Sequence, residues 1–150
     1  MEKVTTRVFG EIGVEEEKVI TFPGGIVGFP DLRRFKLIYD EDKGSNVGIR
    51  WLQSIDEPMF AIPVMDPLLV KPDYNPVVDD ELLKEIGELN EENLLVLVSV
   101  NVPIDLNNIS VNLQAPFVIN AETRKAVQVI VENEEYTTKF LIYDIIKKKD

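Results

Sequence analysis

Short β-prone segments separated by turn residues run through most of this sequence, and they constrain its fold more than any other feature. Val, Ile, Phe and Tyr dominate the segments, and Gly, Pro, Asn and Asp stand between them. Many short strands at regular spacing indicate an antiparallel barrel, closed or nearly closed, or a β-sandwich. The predicted strands are residues 4–9, 18–22, 35–39, 47–54, 59–65, 94–102, 109–113, 117–120, 126–131 and 136–143.

Several segments carry more specific predictions. Residues 94–102 are almost continuously apolar, which predicts a strand buried on both faces. Pro63 lacks an amide hydrogen, so we expect it on a strand edge or at a bulge. Residues 40–46 predict a polar turn, and the end of the segment 136–143 has a helical alternative.

One segment, residues 79–87, predicts a short helix. Its apolar residues recur at helical spacing, acidic residues open it, and Gly87 follows its end. Residues 79–92 hold seven acidic side chains and one Lys, so the outer face is either an ordinary solvated surface or a docking or repelling surface. The residues we single out on this face are Asp80, Glu81, Glu85 and Glu88.

Composition restricts the chemistry. A chain of 150 residues predicts one domain, residues 1–150. Without His or Cys, it has no Ser-His-Asp triad, no Cys-His pair and no His-ligated metal. Acidic runs at residues 15–17, 40–42 and 132–135 leave carboxylate chemistry or a divalent-cation site as alternatives, but such runs are usually solvated. We predict no catalytic residue, no metal and no cofactor.

Net charge points to the kind of partner. The chain carries 27 acidic and 16 basic residues, for a formal charge of −11. Nucleic acids are bound largely through Lys and Arg, so this chain should repel them. A negative field favours and accelerates encounter with a basic partner, although solubility alone also explains such a charge.

The glycine-rich stretch 23–31 predicts a shaped loop, with Phe22 and Phe29 on either side of its glycines. It lacks the Lys-Ser/Thr pair and the following helix of a phosphate-binding loop. In one interpretation both rings plug a barrel end. In the other, a rigid loop offers Phe29 to a partner.

Residues 51–58 contain the only Trp, followed by Ser54, Asp56 and Pro58. Without an imidazole to activate Ser54, we interpret this stretch as a turn in which Ser54 and Asp56 bond nearby backbone groups. We expect Trp51 to pack inward.

No signal peptide or long apolar stretch is visible, so we expect a cytoplasmic protein without a membrane anchor. The apolar run near the C-terminus is too short to span a bilayer.

Several motifs recur in a characteristic order. They are FGEI at residues 9–12, ITFPGGIVGF at 20–29, WLQS at 51–54, FAI at 60–62, VNLQAP at 111–116 and VIN at 118–120. This ordered set covers nearly the whole chain and resembles the flagellar assembly factor FliW family. The motif residues that we expect to be mainly structural are Phe22, Pro23, Gly25, Gly28, Trp51, Gln53, Ser54, Asp56, Pro58, Asn112, Ala115, Pro116 and Asn120.

The resemblance implies a mainly β, small antiparallel barrel-like single domain with one short helix, and a non-enzymatic regulator. Members of the family bind flagellin or, alternatively, the RNA-binding translational repressor CsrA, at a site apart from its RNA groove. Sequestering CsrA frees flagellin messenger RNA, and accumulated flagellin reverses this. The implied partners are therefore CsrA and flagellin, with no direct nucleic-acid or membrane binding.

Two alternatives stay open. One is a dedicated flagellin chaperone with no role in translation. The other is a carboxylate-based glycoside hydrolase or lyase, which would need two buried acids roughly 5–10 Å apart in one cleft. The C-terminal segment, residues 136–150, is longer than the usual family ending and lacks His, so we transfer no tail function. For a partner-binding surface we single out Phe29 and the acidic helix face.

Overall fold

The computed structural model describes residues 2–39 and 48–147, in which alternating apolar and polar residues form short strands. The strands of these residues are β1 (Glu2–Thr6), β2 (Gly10–Val14), β3 (Val19–Thr21), β4 (Arg34–Tyr39), β5 (Arg50–Ser54), β6 (Ala61–Met65), β7 (Leu94–Asn101), β8 (Ser110–Val111), β9 (Phe117–Asn120), β10 (Lys125–Gln128) and β11 (Phe140–Leu141). Within the described residues, 3-10 helices lie at Glu16–Lys18, Pro67–Leu69, Asp80–Ile86 and Leu106–Asn108, and the α-helix α1 spans Tyr143–Lys147. The predicted turn at residues 40–46, the acidic run 40–42 and residue 47 lie outside the described residues.

Seven strands close into a barrel. The order around it is β3, β4, β5, β6, β7, β9 and β10, and β10 returns to β3. The closing pair is parallel and joins Lys125 to Thr21, whereas the other barrel pairs are antiparallel. Strands β8 and β11 extend the sheet from β7. The mainly β, barrel-like prediction is confirmed, and the sandwich alternative is wrong.

The barrel core and a second apolar cluster share β7. Because successive side chains of a strand point to opposite faces, Leu97 lies in the barrel core and Val98 in the second cluster. Inside the barrel, Phe22 meets Phe35 and Phe117 edge to face, with ring centroids 5.3 and 5.9 Å apart. The prediction that this strand is buried on both faces is confirmed at its centre.

The second cluster lies between β7, β8 and α1 and is anchored by two tyrosines. The rings of Tyr74 and Tyr136 are 4.6 Å apart, and the Tyr74 hydroxyl donates to the Leu113 carbonyl at 2.6 Å. The Tyr136 hydroxyl accepts the Asn75 backbone N–H at 2.8 Å. Burial raises the pKa of Tyr74 well above its ordinary value, so the ring stays neutral and keeps donating.

The first predicted strand is wrong, because residues 2–14 form a two-stranded hairpin, β1–β2, outside the barrel sheet. The Thr6 hydroxyl closes its turn by donating to the Gly10 carbonyl at 2.8 Å and accepting the Phe9 N–H at 2.9 Å. The hairpin packs on β5 through Phe9, whose ring lies 5.9 Å from that of Trp51. Trp51 therefore does not pack into the core as expected. It points away from Leu52, which is in the barrel interior, and is half-buried under the hairpin.

Two further predictions concern Pro63 and the helices. Pro63 pairs with Trp51 of β5, but on its other side β6 pairs with β7 through Val64 and Met65 alone, so Pro63 lies at a locally open edge as predicted.

The segment predicted as a helix is helical, but with 3-10 geometry over Asp80–Ile86. The α-helix of the described residues, α1, begins at Tyr143, the last residue of the segment 136–143 that had strand and helix alternatives, and continues beyond that segment to Lys147.

Candidate protein-binding surface

The glycine loop, residues 23–31, folds as a rigid double turn beside the barrel end. Ile26 and Phe29 exchange backbone hydrogen bonds of 3.2 and 2.8 Å. Gly25 has φ +73°, and a Cβ there would lie 2.4 Å from the Pro30 carbonyl oxygen. Gly28 has φ +86° with open space around it. The two glycines allow the chain to return on itself, which L side chains would oppose.

This loop separates the two phenylalanines that border its glycines. Phe22 is fully buried in the barrel core, whereas Phe29 is 48% exposed and rests on Phe60 with ring centroids 5.0 Å apart. Val27, at the tip, is also exposed. Of the two interpretations, only Phe22 plugs the barrel, and the loop presents Phe29 and Val27 on the surface.

The bend after β5 is held by its polar side chains. Ser54 Oγ accepts the Glu57 N–H at 2.9 Å. The fully buried Gln53 side chain donates to the carbonyls of Ser54, Pro58 and Phe60, at 2.9, 2.9 and 3.1 Å. Ser54 and Gln53 are therefore engaged in holding the turn.

Asp56 ties the same bend to β4. Its carboxylate accepts the backbone N–H groups of Arg33 and Arg34, both at 2.9 Å, and the Arg34 Nε at 3.0 Å. Desolvation by partial burial opposes ionisation, but these donors outweigh it and hold the pKa of Asp56 below its ordinary value. Arg34 also reaches Glu2 of the hairpin, at 3.6 Å. Arg34 had no assigned role in the sequence analysis.

The acidic helix, Asp80–Ile86, is fixed at both ends by side-chain hydrogen bonds. Asp79 caps its start by accepting the Glu81 N–H at 3.0 Å. At its end the buried Asn120 amide donates to the carbonyls of Ile86 and Glu88, at 2.9 and 3.2 Å. The Thr123 hydroxyl also donates to Ile86, at 2.8 Å. Asn120 Oδ1 in turn accepts two backbone N–H groups of the β9–β10 turn, so one side chain joins the helix to the barrel.

The 3-10 geometry decides which side chains of this helix face outward. Residues three apart lie on one line in such a helix. Ile86 is buried and Leu83 packs beside it, whereas Leu82 and Glu85 point together to the surface. All four acidic residues selected from the sequence, Asp80, Glu81, Glu85 and Glu88, are exposed.

Gln128 and Asn112 support the glycine loop from β10 and the turn before β9. Gln128 Oε1 accepts the Val27 N–H at 2.8 Å, and its amide donates to the Ala115 carbonyl at 3.0 Å. Asn112 Oδ1 accepts the N–H groups of Gln114 and Ala115, at 3.0 and 3.1 Å, which shapes the turn into Pro116. Nothing in the sequence indicates that Gln128 reaches a loop 101 residues away.

The loop and the acidic helix meet at one groove. Val27 lies on one side, Leu82, Glu81 and Glu85 lie on the other, and Gln128 is in the floor. The structure therefore joins two regions that the sequence predicted separately. Asp80 and Glu88 are exposed outside the lining, and Phe29 lies on Phe60. We call this site the loop–helix groove.

The arrangement offers contacts rather than acid–base groups. Among residues 2–39 and 48–147, no carboxylate is buried, so the paired buried acids that a glycosidase needs are not found there. Over the same ranges no group of three or more acidic side chains is placed to hold a metal ion. No helix in the described part of the chain is long and apolar enough to cross a bilayer.

Comparison with solved structures places this barrel in a known class. A crystal structure of a flagellar assembly factor superimposes with a TM-score of 0.85 at 29% identity, over 95% of this chain and 97% of that one. The fold is thus that of a flagellar assembly factor.

Sequence comparison then gives the family. The model of the FliW protein family matches residues 3–142. The flagellar assembly factor FliW of Lachnospira eligens is 46% identical over 99% of both chains. That of Thermotoga maritima is 36% identical over 93% of this chain and 92% of its own. The chain belongs to the FliW family.

Proposed function

We propose that this protein is a non-catalytic cytoplasmic regulator that binds either CsrA or flagellin, and so links flagellin synthesis to flagellar assembly. Family membership supports a role in assembly. The observation that carries the proposal is the loop–helix groove, where exposed apolar side chains lie beside Glu81 and Glu85 on a chain of net charge −11.

The acidic side of the groove would act on CsrA through its charge. An RNA-binding surface is basic, and an acidic protein held against it lowers the local positive potential that attracts RNA. This protein and the RNA need not occupy the same site on CsrA. Their binding is coupled because they respond in opposite ways to the same electrostatic potential. By linkage, RNA weakens binding of this protein by the same factor. The antagonism should fall with salt, because charges more than about 8 Å apart are screened at physiological ionic strength.

Exposed apolar side chains in the groove, together with Phe29 beside it on the same loop, would supply contact affinity. Val27, Phe29 and Leu82 are 55, 48 and 45% exposed, so each has apolar area left to bury. A few such anchors carry most of the binding energy of an interface, whereas charges at its edge mainly change association rate. Rigid hydrogen bonding of the loop lowers the entropy lost on binding.

The test measures RNA binding by CsrA as this protein is added, and separately measures flagellin binding. We expect loss of CsrA–RNA complex and capture of flagellin by the wild-type protein. If RNA stays bound at saturating protein, the antagonist role fails. Binding of flagellin without CsrA would instead identify a dedicated chaperone.

Two variants and their controls locate the contact. The charge reversal E81K/E85K should slow association with CsrA and weaken the RNA antagonism. Its control, E132K/E134K, makes the same charge change at exposed positions away from the groove. Phe29→Ala should accelerate dissociation of a partner, with Leu106→Ala as the exposed apolar control. Equal effects of test and control variants would show that the groove is not the contact.

A further inference from the structure

A second surface lies further along β10, at a cleft of about 600 Å³ between the barrel and the segment that follows the hairpin. Glu16 and Glu17 line it from the 3-10 helix before β3. Arg124 and Lys125 line it from the β9–β10 turn and the start of β10. Glu16 and Glu17 thus form an acidic wall of the cleft and Arg124 and Lys125 a basic wall. The ion pair between Arg34 and Glu2 also lines the cleft.

These four charges are unpaired within the part of the chain that the structure describes, since none has an ion-pair partner within 4.0 Å. Neighbouring charges do pair: Lys18 with Glu15 at 3.1 Å, and Arg34 with both Asp56 and Glu2.

The backbone of Arg124 is held in a conformation that Arg adopts rarely. Its φ is +59°, and it is the one non-glycine residue of ranges 2–39 and 48–147 with a positive φ. Its N–H donates to the Asn120 carbonyl at 2.7 Å, and its carbonyl accepts the Thr21 N–H at 2.9 Å. Glycine is the ordinary residue at such a position. These two hydrogen bonds hold the conformation, and residues held in such backbone regions cluster at functional sites. Arg124 lines the cleft.

We propose that this cleft binds an extended polypeptide segment of another protein that carries acidic side chains at one end and basic side chains at the other. The acidic end pairs with Arg124 and Lys125, and the basic end with Glu16 and Glu17. Nucleic acids and anionic lipid surfaces are repelled by the acidic wall, and a second copy of this chain would bring a further charge of −11. The inference does not depend on the loop–helix groove.

The probe is a short synthetic peptide with two Glu at one end, two Lys at the other, and Thr and Val between. Its controls are an isomer with alternating charges and an all-Lys peptide. Titration into the full chain is followed by backbone amide NMR at low salt. We expect the split-charge peptide to shift the amides of Thr21, Thr123 and Lys125, and to bind at least tenfold more tightly than either control.

Three variants complete the test. Arg124→Gly should weaken binding of the split-charge peptide at least tenfold. Its unfolding midpoint should stay at or above that of the wild type, because the left-handed backbone suits glycine. E16Q/E17Q, which removes the charges of the acidic wall, should weaken peptide binding by a similar factor. Lys139→Ala, which removes one exposed positive charge elsewhere, should bind as the wild type does. Absence of shifts in the cleft, equal binding of all peptides, or unchanged binding by Arg124→Gly would overturn the proposal.

Discussion

Replacing Gly25 by alanine should destabilise the protein far more than the same change at Gly28. Both residues have positive φ, so each alanine carries the left-handed penalty of about 1–2 kcal/mol. Alanine also restricts the unfolded chain, which offsets roughly 0.4–1 kcal/mol. Around Gly28 there is no atom within 4 Å of a new Cβ, so the net cost there should be about 1 kcal/mol.

At Gly25 the new Cβ meets backbone that cannot rotate away. It would lie 2.4, 2.5 and 2.6 Å from the carbonyl oxygen, Cα and carbonyl carbon of Pro30. The loop must open, which strains the Gly25 N–H bond to Phe22 at 2.9 Å and the Ile26–Phe29 pair. Overpacking of this kind adds roughly 1–3 kcal/mol, so Gly25→Ala should cost about 2–4 kcal/mol.

Urea unfolding measures both variants, with the midpoint and the slope taken from one transition. A total stability of about 5–15 kcal/mol leaves Gly25→Ala folded enough to study. Because the loop carries Phe29, Gly25→Ala should also weaken partner binding, whereas Gly28→Ala changes it less. Equal destabilisation by the two alanines would refute the argument that the close approach of Gly25 to Pro30 shapes the loop.

Three further predictions concern other parts of the fold. Asn120→Ala should cost about 2 kcal/mol in urea unfolding, a moderate value because Thr123 and Asn93 still donate to the two carbonyls that Asn120 bridges. The pKa of Asp56 is depressed in the folded state, so the stabilisation that its carboxylate gives is present above the ordinary Asp pKa of about 3.9 and is lost as the pH falls through the folded value. The difference in unfolding free energy between the wild type and Asp56→Asn should therefore narrow on acidification. A difference that stays constant with pH would contradict this. Phe22→Ala should lower the free energy of unfolding by about 3–5 kcal/mol, and Phe29→Ala should lower it by at most about 1 kcal/mol. Similar losses in the two variants would mean that Phe29 is a core residue.

The barrel could be predicted because its signals are local. Strand alternation, turn residues and the apolar run of β7 each act over a few positions. The hairpin could not, because Val8 and Phe9 between β1 and β2 are themselves β-prone. The Thr6 side chain closes the turn. The residue pattern that predicts a single strand over residues 4–9 is also compatible with the two strands of a hairpin.

The candidate site could be predicted only in pieces. Leu83 and Ile86 are three apart, which suits an α-helix and a 3-10 helix equally, so the sequence left open which acidic side chains share a line with Leu82. The sequence places Asn120 at the end of the predicted strand 117–120, and its side chain binds the turn that follows this strand. Its second role, 34 residues back at Ile86, depends on tertiary structure that no local pattern encodes. The same holds for Gln128 and Val27, and hence for the groove between them.

The way the acidic helix is attached decides whether its charge can be tested separately from its folding. At its end the helix is anchored by the buried Ile86 and by hydrogen bonds from Asn120 and Thr123, none of which is charged. At its start the Asp79 carboxylate accepts the backbone N–H of residue 81, and Asp79 is unchanged in E81K/E85K. One acidic residue of the helix, Glu81, pairs with Lys84 at 2.8 Å, but both side chains are about 70% exposed, and such a pair contributes little to stability. Removing negative charge from this face should therefore relieve repulsion without loosening the helix. A binding defect in E81K/E85K with an unchanged unfolding midpoint would then reflect the interface itself, whereas a lowered midpoint would show that these carboxylates help hold the helix in place.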